Sequence, residues 1–271
     1  MKRLFLATAC LLAVLLCGCK KEGDATNEQE NNARPAQAEN RTITVGDVNF
    51  TMVYVTGGTF TMGATPEQDG DCEDDESPMH QVTLSDYYIG ETEVTQQLWQ
   101  AVMGSNPSEF TGDSLLPVET VSWEDCDEFV RRLNSMTGQR FSLPTEAQWE
   151  YAARGGSKSR GYKYSGSDSI GLVAWYEDNS DDQTQKVKSK RPNELGLYDM
   201  SGNVWEWCAD WYGSYSSSSQ TNPTGPSSGL IRVLRGGSWY YYARDCRVLF
   251  RGHDGPSNRD NLSGLRLVLL P

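Results

Sequence analysis

Leu143-Pro144-Thr145-Glu146-Ala147-Gln148-Trp149-Glu150-Tyr151-Ala152-Ala153-Arg154 is the stretch on which the fold class turns. Thr145 stands where its hydroxyl can cap free amides. Ala147, Trp149, Tyr151, Ala152 and Ala153 follow as a short helix, and Gly155-Gly156 stops it. Two similar signals lie upstream. Thr95 precedes residues 96–103, where Leu98 and Val102, and Trp99 and Met103, recur at helical spacing before Gly104 and Asn106-Pro107. Ser122 opens a second run whose apolar stripe is Cys126, Phe129, Val130 and Leu133, ending at Gly138. Beyond residue 156 the chain is mostly loop, glycine and aromatic, so the expected class is α+β with few regular elements.

Strand signals come earlier. Phe50-Thr51-Met52-Val53-Tyr54-Val55, the Gly57-Gly58 turn and Phe60-Thr61-Met62-Gly63 read as a hairpin, and the alternation from His80 to Leu84 returns the chain to the sheet. The acidic residues 69–76 between them read as a solvated loop. Trp99, Trp149 and Trp175 read as core, because large aromatics serve burial far more often than a cofactor.

The 271 residues carry a net charge of −13, with 37% hydrophobic and 23% charged residues, which suits one globular domain with an appendage. A pI near 4.6 argues against a nucleic-acid partner, which needs a concentrated cationic surface. The two histidines, His80 and His253, are too few and too far apart for a two-histidine iron triad or a three-histidine zinc site. His80 reads as a packed or surface strand residue, and His253 as exposed in the loop at residues 252–256.

Lys2 and Arg3 precede an apolar run, residues 4–16, too short to span a bilayer as a helix. It reads as a secretory signal. Leu16-Cys17-Gly18-Cys19 resembles a bacterial lipobox, so residues 1–18 are the expected lipoprotein signal peptide and Cys19 the lipidated N-terminus. Lys20 in place of an aspartate favours the outer membrane. Residues 19–41 hold almost no apolar side chain able to offset ordering entropy and read as a disordered acidic tether to a domain spanning 42–271. Once Cys10 and Cys17 leave with the signal, Cys72, Cys126, Cys208 and Cys246 remain. Their fully paired connectivities stay open, and no Cys-x-x-Cys clip points to a metal.

Several segments occur together: residues 57–63, Glu93-Val94-Thr95, Pro117-Val118-Glu119 with Val121-Ser122-Trp123, residues 143–154, residues 193–207, Arg235-Gly236-Gly237-Ser238-Trp239, Cys246-Arg247 and Gly264-Leu265-Arg266-Leu267. In that order they resemble the formylglycine-generating enzyme family, also called the sulfatase-modifying factor domain, over residues 45–271. The resemblance implies one compact domain with little regular structure, distantly akin to C-type-lectin-like folds. Its oxidases convert a sulfatase cysteine to formylglycine with dioxygen and a copper(I) ion held by two thiolates. The family also holds iron-dependent sulfoxide-forming enzymes, non-enzymatic binders, and lipoproteins of gliding or secretion machines.

In those oxidases one cysteine stands where this chain has Tyr241 and a second where it has Cys246. A phenol is a poor substitute for thiolate on copper(I), so copper is not an expected cofactor. If the chain is an oxidase, Cys246 and Ser238 are the residues that carry the resemblance. The iron branch's histidine-rich motif has no counterpart. Asp199, Gly202, Val204 and Glu206 match the family's calcium ligands, two through carboxylates and two through carbonyls, a donor set of hard oxygens suited to that ion. The family's second calcium site, near Val173, is not expected. Cys208 and Cys246 follow motifs that meet in the family's site, which implies a disulfide between them. The resulting expectation is a lipid-anchored envelope protein with a binding or structural role toward a peptide, a glycan or an envelope protein. The rivals are a formylglycine-generating oxidoreductase that uses Cys246 with Cys208, and a component of an export or motility complex.

Overall fold

Three side-chain caps set the three helices. In the computed structural model, which describes residues 39–68 and 71–271, α1 (Gln96–Met103) begins where Thr95 accepts the amide of Leu98 and ends at left-handed Gly104. The expected signal peptide, Cys19 and nearly all of the tether lie outside the described residues. α2 (Trp123–Thr137) starts with a reciprocal box between Ser122 and Asp125 and ends at Gly138, and α3 (Glu146–Ala153) uses the same device between Thr145 and Gln148. The α2 stripe is buried, and Phe129 stacks on Trp99 of α1 at 4.9 Å.

The strands of the described residues are β1 (Arg41–Val45), β2 (Val48–Val55), β3 (Gly58–Met62), β4 (His80–Leu84), β5 (Tyr87–Gly90), β6 (Phe141–Ser142), β7 (Trp205–Trp211), β8 (Gln220–Thr221), β9 (Arg232–Arg235), β10 (Arg251–Asp254), β11 (Ser263–Gly264) and β12 (Val268–Leu269). They form three sheets, ordered β1-β2-β5-β12-β6, β10-β9-β7-β11 and β3-β4-β8. β1 opens one residue before the expected domain start. The expected hairpin of residues 50–63 does not form. β2 pairs with β1 and β5, whereas β3 pairs with β4 in another sheet. At Gly57 the chain passes so close to β4 that a Cβ would lie 2.3 Å from the Leu84 carbonyl, and its amide is taken by Asp86 instead of a hairpin partner. The glycine marks a crossing of two backbones, not a hairpin turn.

Strand alternation divides the interior in two. Met52 of β2 joins a cluster with Trp99, Phe129, Trp205 and Trp207, while Val53 and Val55 join one with Trp149, Met200, Cys208 and Val233. β7 and β12 split the same way, so all three strands are covered on both faces. The interior also holds buried arginine–carboxylate pairs: Arg266–Glu206, Arg235–Glu150, Arg247–Glu76 and Arg251–Glu146.

Three local expectations are corrected. Glu76 of the acidic loop is buried rather than solvated, because Arg247 meets it with two hydrogen bonds. Trp175 is half-buried rather than core, with Lys190 at 3.8 Å over its ring. His253 is exposed as expected but stands in β10, paired with β9, rather than in a loop.

Candidate functional site

Two segments separated by residues 207–235 lie side by side, and the Trp149 indole of α3 reaches Glu206 in the first of them. In residues 199–206, Asp199, Gly202 and Asn203 all adopt left-handed backbone angles, with φ of 57°, 78° and 65°. Gly202 is required for a second reason, since a Cβ there would fall 2.1 Å from the Trp175 carbonyl. The turn is fastened to residues 236–246 by the Gly202 amide on the Gly236 carbonyl, the Trp239 amide on the Asn203 carbonyl, and the Ser201 hydroxyl on the Cys246 carbonyl, each at 2.8 Å.

The turn gathers buried acids. Glu206 receives Arg266 through both oxygens at 2.6–3.0 Å and the Trp149 indole at 2.6 Å, so its acceptor positions are filled. Glu93, just ahead of α1, reaches across to accept the Val204 amide at 3.1 Å and the Asn203 side-chain amide at 2.8 Å. Asp199 accepts the Lys188 amide at 2.8 Å through Oδ2, while its buried Oδ1 has no hydrogen-bond partner. Three fully buried carboxyl groups thus face one guanidinium. Burial, reinforced for Glu93 by the charges of Asp199 and Glu206, pushes Glu93 far above the usual carboxylate range. Burial likewise raises Asp199 to about 6, against the Lys188 amide and Arg266.

An orphaned, buried carboxylate oxygen in a region of excess negative charge fits a hard cation. Asp199 meets that description, and Glu206 is largely committed to Arg266. Among the described residues no cluster of three or more His, Cys, Asp or Glu side chains converges as a metal site, so main-chain carbonyls such as those of Gly202 and Val204 would have to complete one. Glu93 was missed as a site residue by sequence reasoning. A lone glutamate before a helix cap carries no signal that it will meet residues 203–204.

The second segment is closed. Cys246 is fully buried beside Tyr164 and Val173, and a Cβ on Gly237 would lie 2.6 Å from its sulfur. Burial first, then the Asp245 charge, pushes its thiol far up, opposite to what a reactive thiolate needs. Tyr241 turns away into the other cluster, its ring edge-on to Trp205 at 5.1 Å. Ser238 is buried, with its hydroxyl 3.4 Å from the Tyr240 amide. The expected Cys208–Cys246 disulfide is absent: Cys72, Cys126, Cys208 and Cys246 are all free thiols. The reason is packing, since Cys208 points into the cluster around Trp149 and Cys246 into a separate one.

With this geometry the chain takes its place among single-domain α+β proteins of low regular structure, and comparison with known proteins assigns the family. Residues 37–270 match the sulfatase-modifying factor enzyme 1-like domain, and the chain belongs to that family. It is 32% identical to the chaperone protein LppX of Paenibacillus barcinonensis, over 82% of this chain and 90% of that protein. It is also 32% identical to the formylglycine-generating enzyme of Streptomyces coelicolor, over 79% of this chain and 87% of that one. Among solved structures, Treponema denticola variable protein 1 superposes with a TM-score of 0.80 at 35% identity, over 87% of this chain and all of the other. PvdO from Pseudomonas aeruginosa follows at 0.71 and 26%, with the same coverage.

Proposed function

We propose that this chain is a lipid-anchored envelope protein, held by Cys19 in the outer membrane, whose domain binds a peptide or glycan instead of oxidising cysteine. The observation that carries this reading is the sealed Cys246 with Tyr241 packed on Trp205. A copper oxidase needs two thiolates open to a substrate thiol, and this pair offers one buried thiol and one phenol. Tyr240 and Tyr242, on either side of Tyr241, are 59% and 63% exposed, and Phe110 meets Trp239 edge-on nearby. Exposed aromatics of this kind suit contacts with peptides and sugar faces. A relative named as a chaperone accords with a peptide ligand. Calcium is proposed as a structural ion of residues 199–206, held by Asp199 with the carbonyls of Gly202 and Val204, while Glu206, whose acceptor positions are filled by Arg266 and Trp149, contributes charge but no ligand atom. Such an ion would neutralise the buried acids and brace the segment that carries the tyrosines.

The test combines chemistry with location. The full chain loaded with copper(I) is expected to leave a cysteine-containing sulfatase peptide unconverted and to consume no oxygen with it. Cys19→Ser is expected to abolish membrane fractionation while the domain stays folded. The identity to a formylglycine-generating enzyme favours the second reading, an oxidoreductase acting on sulfatase cysteines. Oxygen-dependent aldehyde formation that is lost in Cys246→Ala would make that reading correct.

A further inference from the structure

A cavity of about 310 Å³ opens where β4, α3, β7 and β10 meet, roofed by the loop at residues 213–226. It shares no residue with the turn at 199–206 or with Tyr240 and Tyr242. Met62, Ala147, Trp211, Tyr215, Pro223 and Pro226 give it apolar walls, and its polar groups differ in how fully they are used.

The largest charges in it are already matched. Glu146 accepts Nε and Nη2 of Arg251 at 2.6 and 2.9 Å and the Tyr215 hydroxyl at 3.0 Å. Arg251 gives its other hydrogen bonds to the carbonyls of Asp75 and Gly213, with Tyr215 packed 4.0 Å from the guanidinium. Two further cations lie nearby: Arg235 pairs with Glu150 and stands 3.7 Å from Glu146, and Arg232 is sandwiched between Trp123 and Trp211 at 3.7 and 3.5 Å and donates to the Ala209 carbonyl.

Two acceptors are left over. Asp210 is 4% exposed; its Oδ2 takes the Glu146 amide at 2.9 Å, and its Oδ1 receives no hydrogen bond from the described residues. Gly225 keeps space beside that oxygen, since a Cβ there would stand 3.0 Å from it. His80 is 5% exposed and packed against Tyr215, with the ring centroids 4.9 Å apart and tilted by 59°, and its Nδ1 lies 3.1 Å from the Pro78 carbonyl. A carbonyl can only accept, so Nδ1 carries a hydrogen, and in the neutral ring this leaves the lone pair on Nε2. A carboxylate oxygen and an imidazole nitrogen without protein donors, on two nearly buried residues lining an apolar cleft of a strongly acidic protein, call for a cationic donor with a hydrocarbon body.

We propose that this cavity binds a small primary alkylammonium ion, whose nitrogen donates to Asp210 Oδ1 and His80 Nε2 while its carbon chain lies against Met62, Trp211, Tyr215 and Pro226. A trimethylated nitrogen has the charge but no hydrogen to donate. An alcohol has the donor but not the charge.

Burial and the neighbouring Glu146 raise the Asp210 carboxyl to about 7, against the pull of Arg251 and Arg232. The groups facing it are Glu146 on α3, Arg251 on β10, Arg232 on β9, and His80 and Tyr215 across the cavity. Protonation of Asp210 removes an acceptor, so binding is expected to strengthen as pH rises through 7, while the amine is still charged.

The experiment is calorimetric titration of the full chain with n-butylammonium chloride, with 1-butanol and butyltrimethylammonium chloride as controls. Saturable binding of the primary amine is expected, with both controls at least about tenfold weaker. Asp210→Asn keeps an acceptor for the Glu146 amide and is expected to weaken binding about tenfold or more; His80→Phe keeps the ring on Tyr215 and should weaken it about threefold. Should Asp210→Asn fail to fold, His80→Phe and the pH profile decide. No saturable binding by the wild type up to about 10 mM, equal binding of the trimethylated ion, or unchanged affinity in the folded variants would overturn the proposal.

Discussion

Residues 199–206 and residues 236–246 are joined by three hydrogen bonds, yet one is built around unmet charge and the other around filled space. In the first, Glu93, Asp199 and Glu206 share the single guanidinium of Arg266, and a buried Asp199 oxygen has no donor. In the second, Gly237 is pressed against Cys246, and Tyr241 packs on Trp205. The contrast teaches that a family scaffold can keep the electrostatics of one loop while aromatic packing closes its neighbour. Excess buried charge invites a ligand, whereas close packing excludes one.

The sharpest way to break this contrast is through the two glycines. Gly202→Ala would drive a Cβ to 2.1 Å from the Trp175 backbone at a φ of 78°, and neither chain can retreat cheaply. A loss above about 4 kcal/mol is expected in denaturant unfolding, enough to leave the domain unfolded. Gly237→Ala meets the Cys246 sulfur at 2.6 Å but also the Asp245 carbonyl at 2.9 Å, so a smaller loss of about 2–3 kcal/mol is expected. Adding Cys246→Ala to it should cost less than the two single changes summed, since the sulfur is gone. Full additivity would mean the segment is not packed as described.

Calcium should separate the two regions next. An ion that binds only the folded state adds about 2.7 kcal/mol at a hundredfold excess over its Kd, so chelation is expected to lower the melting temperature of the wild type and not of Asp199→Ala. The pH dependence carries a definite sign. Asp199 is raised to about 6 in the folded state from an unfolded value of roughly 4, so the folded state holds its proton more tightly. In chelator, stability is therefore greatest below pH 4 as far as this group is concerned and falls as pH rises through 6, and Glu93 acts in the same direction. Saturating calcium should remove that fall. Identical melting curves with and without the ion across this range would discard the calcium assignment.

The smallest effect belongs to the thiol. Cys246→Ala is expected to cost about 1–2 kcal/mol of stability through lost packing and to leave ligand binding at the exposed tyrosines intact. Loss of binding with stability preserved would show that the two loops are coupled through the thiol itself.

Much of the scaffold was legible because its signals are local. Thr95, Ser122 and Thr145 each cap an amide three residues ahead, so the helix starts follow from neighbours in sequence. The alternation from His80 to Leu84 became β4 for the same reason. Gly57-Gly58 misled because a glycine needed for a close crossing looks in sequence like one needed for a turn. Trp175 misled because residue type alone does not reveal that a lysine, and not the core, will cover the ring.

By itself, then, the sequence determined the class, the family and the three helix starts, all of which depend on residue identity and short spacing. Only the tertiary structure decided that Glu93 meets residues 203 and 204, that Arg266 saturates Glu206, that Cys208 and Cys246 point into different clusters, and that Asp210 and His80 share one cavity. Those outcomes depend on which distant groups are brought together and how deeply they are buried. Desolvation and charge pairing act through space, so they have no period or spacing along the chain.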